Sequence, residues 1–292
     1  MPSTKEIRTR IKSVKNTAQI TRAMQLVAAS KMKKAQDATM AGRAYAMLLA
    51  EILESVSHQE IAQNHPLLAP REAKRRGILI IGTDKGLCGP LNGNLFKEVM
   101  AIKDDVAYVT IGRKATQFIS RTKRPLLADF PLSDKVTYPE VRAVVNYMLE
   151  LYTEGKIDTI EILYSAFVNT LIQQPTIMRI VPLSGLHELI EDVKKRYKIT
   201  LSDTSKDERE FIFEPSAAEI LHELPALYVK QLIYQSLLGA KASEHSARMV
   251  AMKSATDNAK NLVSDLTLEY NKARQAAITQ EILEIAAATQ FN

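Results

Sequence analysis

Residues 240–292 read AKASEHSARMVAMKSATDNAKNLVSDLTLEYNKARQAAITQEILEIAAATQFN, and this run contains neither glycine nor proline. Glycine and proline are the residues that most often interrupt helices, so the run predicts one continuous helix. At about 1.5 Å of rise per residue it would reach on the order of 80 Å, whereas an average globular helix has about 11 or 12 residues. A single domain core cannot cover that length, so we expect another long element or a surrounding partner beside it.

A second long helix is predicted at the start of the chain. No helix breaker lies between Pro2 and Gly42, and Ser3 with Glu6 has the spacing of a capping box. Apolar or small residues recur there in alternating steps of four and three, which is typical of a coiled coil with a weak middle at Thr21 and Gln25. The repeating residues are Ile7, Ile11, Val14, Ala18, Ala28, Met32 and Ala35, and a second stripe consists of Ile20, Met24 and Val27.

The terminal run shows the same alternation with one slip of a residue. Many of its seam residues are small, and small seam residues allow two helix axes to approach closely. The two long helices are therefore predicted to pair as an antiparallel coiled coil. The terminal seam consists of Met252, Ala255, Ala259, Leu262, Leu266, Tyr270, Ala273 and Ala277.

The middle of the chain predicts an α/β domain, because short apolar runs alternate with helical patterns. This alternation favours a mainly parallel sheet with helices on its faces. The predicted strands are 77–82, 106–112, 159–168 and 176–183, and the predicted helices are 92–102, 114–121 and 138–153.

The segment before the terminal helix is predicted to be irregular. Residues 194–210 are charged and polar and predict a loop, and residues 211–215 predict a short strand. Ser216 is predicted to cap the run into the terminal helix, which Pro225 and Gly239 could bend.

The predicted fold class is therefore α/β: a long antiparallel coiled coil of N- and C-terminal helices plus a central Rossmann-like α/β domain with a mainly parallel sheet. We place the N-terminal coiled-coil helix at 1–60, the central α/β domain at 75–215 and the C-terminal coiled-coil helix at 216–292.

Composition limits the classes of protein. A hydrophobic fraction of 46% over 292 residues is typical of a globular chain, and no apolar run approaches the roughly 20 residues that span a bilayer. The N-terminus has neither a signal-peptide pattern nor an obvious transit-peptide pattern. Cys88 is the only cysteine, which excludes an internal disulfide and is expected in a reducing compartment. We therefore expect a cytosolic location.

Positive charge is concentrated in the first helix. Residues 1–43 contain ten Lys or Arg against Glu6 and Asp37, a balance of about +8, whereas residues 240–292 contain six basic and six acidic side chains. The field of the first helix could attract acidic loops of a partner, nucleic acid or anionic lipid, or the helix could simply have a solvated face.

No catalytic or metal-binding motif stands out. The glycine-rich turn at 82–94 follows a strand and opens a helix, but it matches neither the P-loop nor the dinucleotide fingerprint. Cys88 has no histidine nearby in sequence to activate it, the five histidines lack metal-site spacing, and no carboxylate pair suggests acid–base chemistry. We expect no catalytic residue, no metal site and no cofactor.

Several longer motifs together resemble the gamma subunit of F-type ATP synthase, of the bacterial type. They lie at both ends of the chain in the right order and separation, with the turn around Cys88 between them, so the resemblance covers essentially the whole chain. The chain departs from the family at Lys85 and Pro90, where arginine and glycine are expected. The matching motifs are residues 5–8, 20–24, 27–32, 243–259 and 270–282.

The resemblance implies a rotor subunit. In that family the paired helices form a central stalk inside a ring of three alpha and three beta subunits, and its rotation couples ion flow through the membrane ring to ATP synthesis or hydrolysis. The chain would be a non-catalytic, peripheral subunit of a proton-translocating complex at the cytoplasmic face of a bacterial inner membrane. Its implied partners are the alpha and beta subunits, the epsilon subunit and the c-subunit ring, with no nucleic acid.

The resemblance also implies site residues. Met24 and Arg248 would face the lower, acidic part of the beta subunits, and Arg274, Gln275 and Thr279 would form an upper contact. The charge and apolar patterns agree with this assignment. A basic first helix suits acidic surroundings, and the apolar tip at 282–288 suits an apolar surface of the ring around it, which would act as a bearing. The implied contacts with the membrane ring are Phe211 and Glu214.

Two other functions stay open at the level of sequence. A nucleic-acid-binding coiled-coil protein would use the basic first helix, although phosphate binding would not need a neutral, alanine-rich terminal helix. An α/β enzyme with helical arms would use the glycine-rich turn at 82–93.

Overall fold

Two very long helices and a five-stranded sheet make up the computed structural model, which describes residues 3–57, 65–134, 136–183, 214 and 216–290. The last helix has 74 residues and is roughly 110 Å long. In chain order the elements are α1 (Thr4–Ser57), β1 (Arg76–Ile81), α2 (Leu91–Ala101), β2 (Val106–Ile111), α3 (Arg113–Arg121), β3 (Leu126–Phe130), α4 (Tyr138–Thr153), β4 (Thr159–Phe167), β5 (Gln173–Val181) and α5 (Ala217–Gln290).

Both predicted terminal helices are confirmed within the described residues. α1 begins with the predicted capping box: the Ser3 amide donates to the Glu6 carboxylate at 3.0 Å, and the Glu6 amide donates to the Ser3 hydroxyl at 3.3 Å. α5 runs to Gln290 and contains Pro225 and Gly239 within one helix. Its first turn is capped by the Ser216 hydroxyl, which accepts a hydrogen bond from the Glu219 amide at 3.3 Å.

α1 and α5 pack side by side as the predicted antiparallel pair. The hydroxyl oxygens of Thr21 and Thr256 are 2.7 Å apart, and Gly42 faces Gln235. A Cβ on Gly42 would lie 2.0 Å from Nε2 of Gln235, so the end of that side chain fills the space beside the glycine. The numbers of the opposed residues add to 277 at both places, so one register holds over about six helical turns.

The seam of α5 is more regular than the sequence predicted. Thr256 and Val263 take the seam places predicted for Ala255 and Leu262, and Leu262 is 40% exposed. The predicted slip is therefore wrong, because a threonine that looks polar in sequence is 3% exposed in the seam. The buried and half-buried residues in steps of four and three are Met252, Thr256, Ala259, Val263, Leu266, Tyr270 and Ala273.

The sheet is mainly parallel, as predicted. Its strand order is β3-β2-β1-β4-β5, and only β5 runs antiparallel to its neighbour. α2 and α3 cover one face, where Ile78 and Ile80 are buried. α4 and the adjacent parts of α1 and α5 cover the other face, where Leu79 and Ile81 are buried. Alternate residues of β1 thus serve two cores, which explains why the whole strand is apolar.

Two strands at the sheet edges differ from the prediction. β3 was not predicted, because it is a short edge strand in which exposed and half-buried residues alternate, and it includes Asp129. β5 begins at Gln173, before Pro175, whereas the sequence predicted a start at Thr176. An edge strand tolerates proline because its outer backbone groups need no ladder partner. The loop predicted at 194–210 lies outside the described residues, and so does the strand predicted at 211–215 except for Glu214, which is not in a strand.

Candidate functional site

α5 crosses the sheet at the place where a Rossmann-like fold usually holds a ligand. The strand order reverses between β1 and β4, and such sheets bind ligands beyond the carboxyl ends of the strands at this point. Here the Ser246 hydroxyl donates to the Thr170 carbonyl in the turn after β4, at 2.8 Å. Arg248 donates to the carbonyls of Lys85 and Gly86 in the turn after β1, at 3.3 Å each. The turn proposed for an enzyme site therefore holds a helix of the same chain.

A buried set of charges supports this contact from within α5. Glu244 is 4% exposed, and each of its carboxylate oxygens accepts a hydrogen bond from a cation. Lys241 donates to one oxygen at 3.2 Å, and Arg248 donates to the other at 2.9 Å. A carboxylate removed from water needs such partners, since burying it unpaired is very costly.

His245 lies in the same cluster as a neutral imidazole at neutral pH. Burial lowers its pKa to about 4, and the positive charges of Arg248, Lys241 and Lys31 act in the same direction, against the effect of Glu244. Its Nδ1 lies 3.4 Å from Nη1 of Arg248. A neutral imidazole can accept a hydrogen bond from this guanidinium.

An open groove of about 740 Å³ lies between α1, the turn after β1 and α5. We call it the collar groove. Leu87 is 61% exposed and has a φ of 62°, a left-handed conformation that is uncommon for residues other than glycine. Met24 and Arg248, which the resemblance assigned to one lower contact, both line this groove. Its large apolar lining residues are Ile20, Met24, Val27 and Leu87. Its charged lining residues are the basic Lys31, Lys85, Arg113 and Arg248 and the acidic Asp84, Asp134 and Glu244.

An ion pair crosses the wall of the collar groove. Lys31 on α1 pairs with Asp134 in the segment after β3. The hydrogen bond from Lys31, together with its charge, holds the pKa of the Asp134 carboxyl below its usual range. This pair connects the first helix of the coiled coil to the α/β domain.

The end of α5 extends beyond the helix pair. The register places Thr4, the first residue of α1, opposite Ala273, and every described side chain from 274 to 286 is exposed. Arg274, Gln275 and Thr279 lie on this extension, and the Thr279 hydroxyl donates to the Gln275 carbonyl at 2.9 Å. Four large apolar residues are exposed there as well: Ile278, Ile282, Leu283 and Ile285.

The implied membrane-ring residues are only partly described. Phe211 lies outside the described residues, and Glu214 is exposed. No described helix is long and apolar enough to cross a bilayer. Within the described parts of the chain, no three His, Cys, Asp or Glu side chains are grouped so that they could hold a metal ion.

Sequence reasoning missed the residues that join α5 to the sheet. Lys241, Glu244 and Arg248 are three and four residues apart, so they share a helical face within a run of small residues. That spacing was visible in the sequence and could have indicated a buried ion cluster. The role of Leu87 and the partner of Ser246 had no sequence signal, because both depend on tertiary contacts with other elements.

Comparison with known proteins gives matches along nearly the entire chain. A family model described as ATP synthase matches residues 3–290. The ATP synthase gamma chain of Opitutus terrae is 52% identical over 288 residues, which cover 99% of this chain and 98% of that relative.

Solved structures share the fold. A chain from the central stalk/c-ring structure of Tetrahymena thermophila mitochondrial ATP synthase has a TM-score of 0.60 at 24% identity, covering 81% of this chain and 99% of that one. A chain from the Euglena gracilis mitochondrial ATP synthase, in an OSCP/F1/c-ring structure, has a TM-score of 0.67 at 17% identity, covering 98% of this chain and 93% of that one. With the family match and the full-length relative, these likenesses lead to one conclusion: the chain belongs to the ATP synthase gamma chains, the family of the central-stalk rotor subunit.

Proposed function

We propose that this chain, as a non-catalytic subunit, transmits rotation between an ion-driven membrane ring and the beta subunits that make or hydrolyse ATP. The observation that carries this proposal is the lone extension of α5 beyond α1, with all described side chains from 274 to 286 exposed. A helix that projects from its own fold with apolar side chains in water needs a surrounding partner.

The apolar residues of the extension favour a partner that surrounds the helix, which we call a sleeve, over a partner that contacts only one side. Ile278, Ile282 and Ile285 follow helical spacing along one face, whereas Leu283 points about 140° away from Ile278. Each of the four is at least 48% exposed. A ring of alpha and beta subunits would cover these faces together, and an apolar sleeve without fixed polar partners would let the helix turn inside it.

Polar residues just below the apolar tip support an upper rotor–stator contact. We propose that Arg274, Gln275 and Thr279 make it. The Arg274 guanidinium has no hydrogen-bond acceptor among the described residues, so it is available to a partner. Rotation would then change which stator subunit faces these groups, and a contact that differs between angles is what biases a partner among conformations.

The collar groove is the proposed lower contact. Its apolar lining, with the exposed cations Lys85 and Arg113 beside it, fits a segment that carries both acidic and apolar side chains. We propose that such a segment belongs to the beta subunits and rests against Met24, with Arg248 at the floor of the groove. The concentration of positive charge in residues 1–43 would steer the acidic segment toward this side of the stalk.

The remaining partners follow from family membership. We propose contacts with the epsilon subunit and the c-subunit ring, the latter through Phe211 and Glu214, in a proton-translocating complex. Full-length bacterial relatives such as the Opitutus terrae gamma chain support a place at the cytoplasmic face of a bacterial inner membrane. The domain division at 1–60, 75–215 and 216–292 stays a prediction.

The tip can be tested by deleting residues 283–292. ATP-driven proton pumping in the reconstituted complex should fall relative to ATP hydrolysis, because the upper end of the rotor loses its bearing. The urea midpoint of the α/β domain should not change, since the described side chains of the deleted segment, 283–286, are all exposed and lie beyond the end of α1.

A length-matched control separates apolar contact from helix length. Leu283→Gln combined with Ile285→Gln keeps every residue of the helix while removing two exposed apolar side chains, and it should reduce the pumping-to-hydrolysis ratio in the same direction. A truncated complex that assembles and pumps as well as the wild type would contradict the bearing.

A further inference from the structure

Arg248 stands where the coiled coil leaves the α/β domain. The large apolar core that joins α5 to the sheet has Ala240 as its last member on this helix. Immediately beyond it come the ion cluster of Lys241, Glu244 and Arg248 and the hydrogen bonds to the turns after β1 and β4. From there on, these polar contacts and one small apolar cluster of Ala247, Cys88 and Leu91 join the coil to the domain.

We propose that Arg248 is a latch that fixes the direction in which the coiled coil leaves the α/β domain. Its consequence rests on the proposed rotor function: torque applied to the domain reaches the upper coil without a pivot at residues 241–248. Arg248 is thus a positioning residue that acts inside its own chain. Its side chain is only 12% exposed and its guanidinium is bonded to the chain's own carbonyls, so this role inside the chain is additional to the proposed place of Arg248 at the floor of the collar groove.

The chemistry of the latch requires an arginine. One N–H of Nη2 donates to Glu244 at 2.9 Å and the other is shared by the two carbonyls of the turn at 3.3 Å, while Nη1 faces His245. A guanidinium serves acceptors in several directions because its donors are held in a rigid planar fork, whereas an ammonium is a single point charge. The buried Glu244 holds the fork in place, and Lys241 completes its hydrogen bonds.

Small residues let the latch close. Ser243 and Ser246 are fully buried, and Ala247 packs with Cys88 and Leu91 beneath the latch. Larger side chains there would hold α5 away from both turns. When the latch is closed, α5 therefore also covers Cys88, the only cysteine of the chain.

Cys88 provides a probe that reports whether the latch is open. Burial raises the pKa of its thiol, and the positive charge of Arg248 acts against that rise. If Arg248 were removed and the latch stayed closed, the thiol pKa would rise further and alkylation would slow. If the latch opened, Cys88 would be exposed and alkylation would quicken. The two outcomes have opposite signs.

The first experiment measures alkylation of Cys88 by N-ethylmaleimide in the assembled ATP synthase, with the Cys88 peptide quantified by mass spectrometry. Arg248→Gln should raise the rate about tenfold, as expected from the loss of a buried charge-assisted hydrogen bond. Arg248→Lys keeps the charge without the fork and should also raise it. Lys253→Gln removes an exposed cation from the same helix and serves as the matched control, with no change expected. A slower or unchanged alkylation rate in both Arg248 variants would overturn the latch. This result would not bear on the rotor proposal, because the alkylation rate does not depend on rotation.

The second experiment replaces the latch with a covalent link. A Cβ built on Gly89 lies 3.9 Å from the Cβ of Ala251, within the range of about 3.5–4.5 Å that a disulfide spans. In a Cys88→Ala background, Arg248→Gln should lower the ratio of proton pumping to ATP hydrolysis. Oxidation of Gly89→Cys with Ala251→Cys should restore that ratio, and reduction should lower it again. Gly89 has a φ of 58°, so Gly89→Cys with Ala251→Cys is also made with Arg248 intact, to check that the linked protein pumps normally. If it does, failure of the oxidised link to restore the ratio would show that Arg248 does not act by holding the coil to the domain, and so would an undiminished ratio in Arg248→Gln.

Discussion

At the scale of single residues, His245 shows how the cluster around Arg248 depends on a neutral imidazole. The groups that face it are Glu244, Arg248 and Lys241 on its own helix and Lys31 on α1, with Asp134 paired to that lysine. Protonation would add a positive charge among three cations. The arrangement thus needs His245 unprotonated, in line with its lowered pKa.

The lowered pKa predicts a pH dependence of stability with a definite sign. The folded chain binds a proton at His245 only near pH 4, whereas the unfolded chain binds it near an ordinary value of about 6.5. Between these values the unfolded state holds more protons, so the free energy of unfolding falls as pH falls. From pH 7 to pH 5 the loss due to His245 should be roughly 2 kcal/mol.

Urea unfolding of the full chain at both pH values measures this loss. His245→Gln removes the titrating group at similar size, and its stability should change by roughly 2 kcal/mol less than that of the wild type over the same interval. An equal change in both proteins would mean that His245 titrates alike in the folded and unfolded chains.

At the scale of elements, the pairing of α1 with α5 passes through a hydrogen-bonded threonine pair. Each hydroxyl has one proton and the two oxygens are 2.7 Å apart, so one hydroxyl donates to the other. The Thr256 hydroxyl can donate its proton to the Met252 carbonyl, 2.8 Å away. In that arrangement the Thr256 oxygen accepts the hydrogen bond from the Thr21 hydroxyl. Thr21 in turn has the Ala18 carbonyl at 3.1 Å as a local acceptor. Either threonine alone therefore keeps a partner on its own helix.

This geometry predicts strong non-additivity in a double-mutant cycle. Thr21→Val and Thr256→Val should each cost about 1 kcal/mol of unfolding free energy, the typical net value of one hydrogen bond. The double variant should cost no more than either single one, because the shared bond is lost only once. Urea unfolding measures all four proteins, and additive losses would contradict a shared bond across the seam.

The elements that the sequence predicted well are those whose signals are local. The breaker-free termini, the Ser3–Glu6 capping box and the apolar run at 77–82 each predicted an element that the structure contains. Thr256 misled the seam prediction because its partner lies on the other long helix and far away in sequence. β3 gave no signal because an edge strand is only half buried and needs no continuous apolar run.

For the candidate site too, the sequence indicated some residues and gave no signal for others. The upper contact at Arg274, Gln275 and Thr279 stays a prediction, although all three side chains are exposed. Ala277, which the sequence placed in the seam, is exposed as well, because α1 ends before it could pair there. The internal bonds of Arg248 and the outward side chain of Leu87 arise where α5 meets the turn after β1. Neither pattern nor spacing encodes that meeting, so the collar groove could be described only from the folded chain.

At the scale of the whole molecule, the structure is an asymmetric shaft with a domain attached to one side. α5 runs as one helix from the sheet to the tip, so a rotation of the domain has an unbroken path to the upper contact. The α/β domain contacts the N-terminal part of α5, through the apolar core and the ion cluster at Arg248. We therefore expect the domain and the tip to turn together.

Direct observation of rotation tests this central claim. The alpha and beta ring would be fixed to a surface, and a bead would be attached to the α/β domain through Gln117→Cys, an exposed position on α3, in a Cys88→Ala background. With ATP added, we expect the bead to turn in one direction and to pause at three equally spaced angles per revolution. ATP hydrolysis that continues while the bead stays still would contradict the claim.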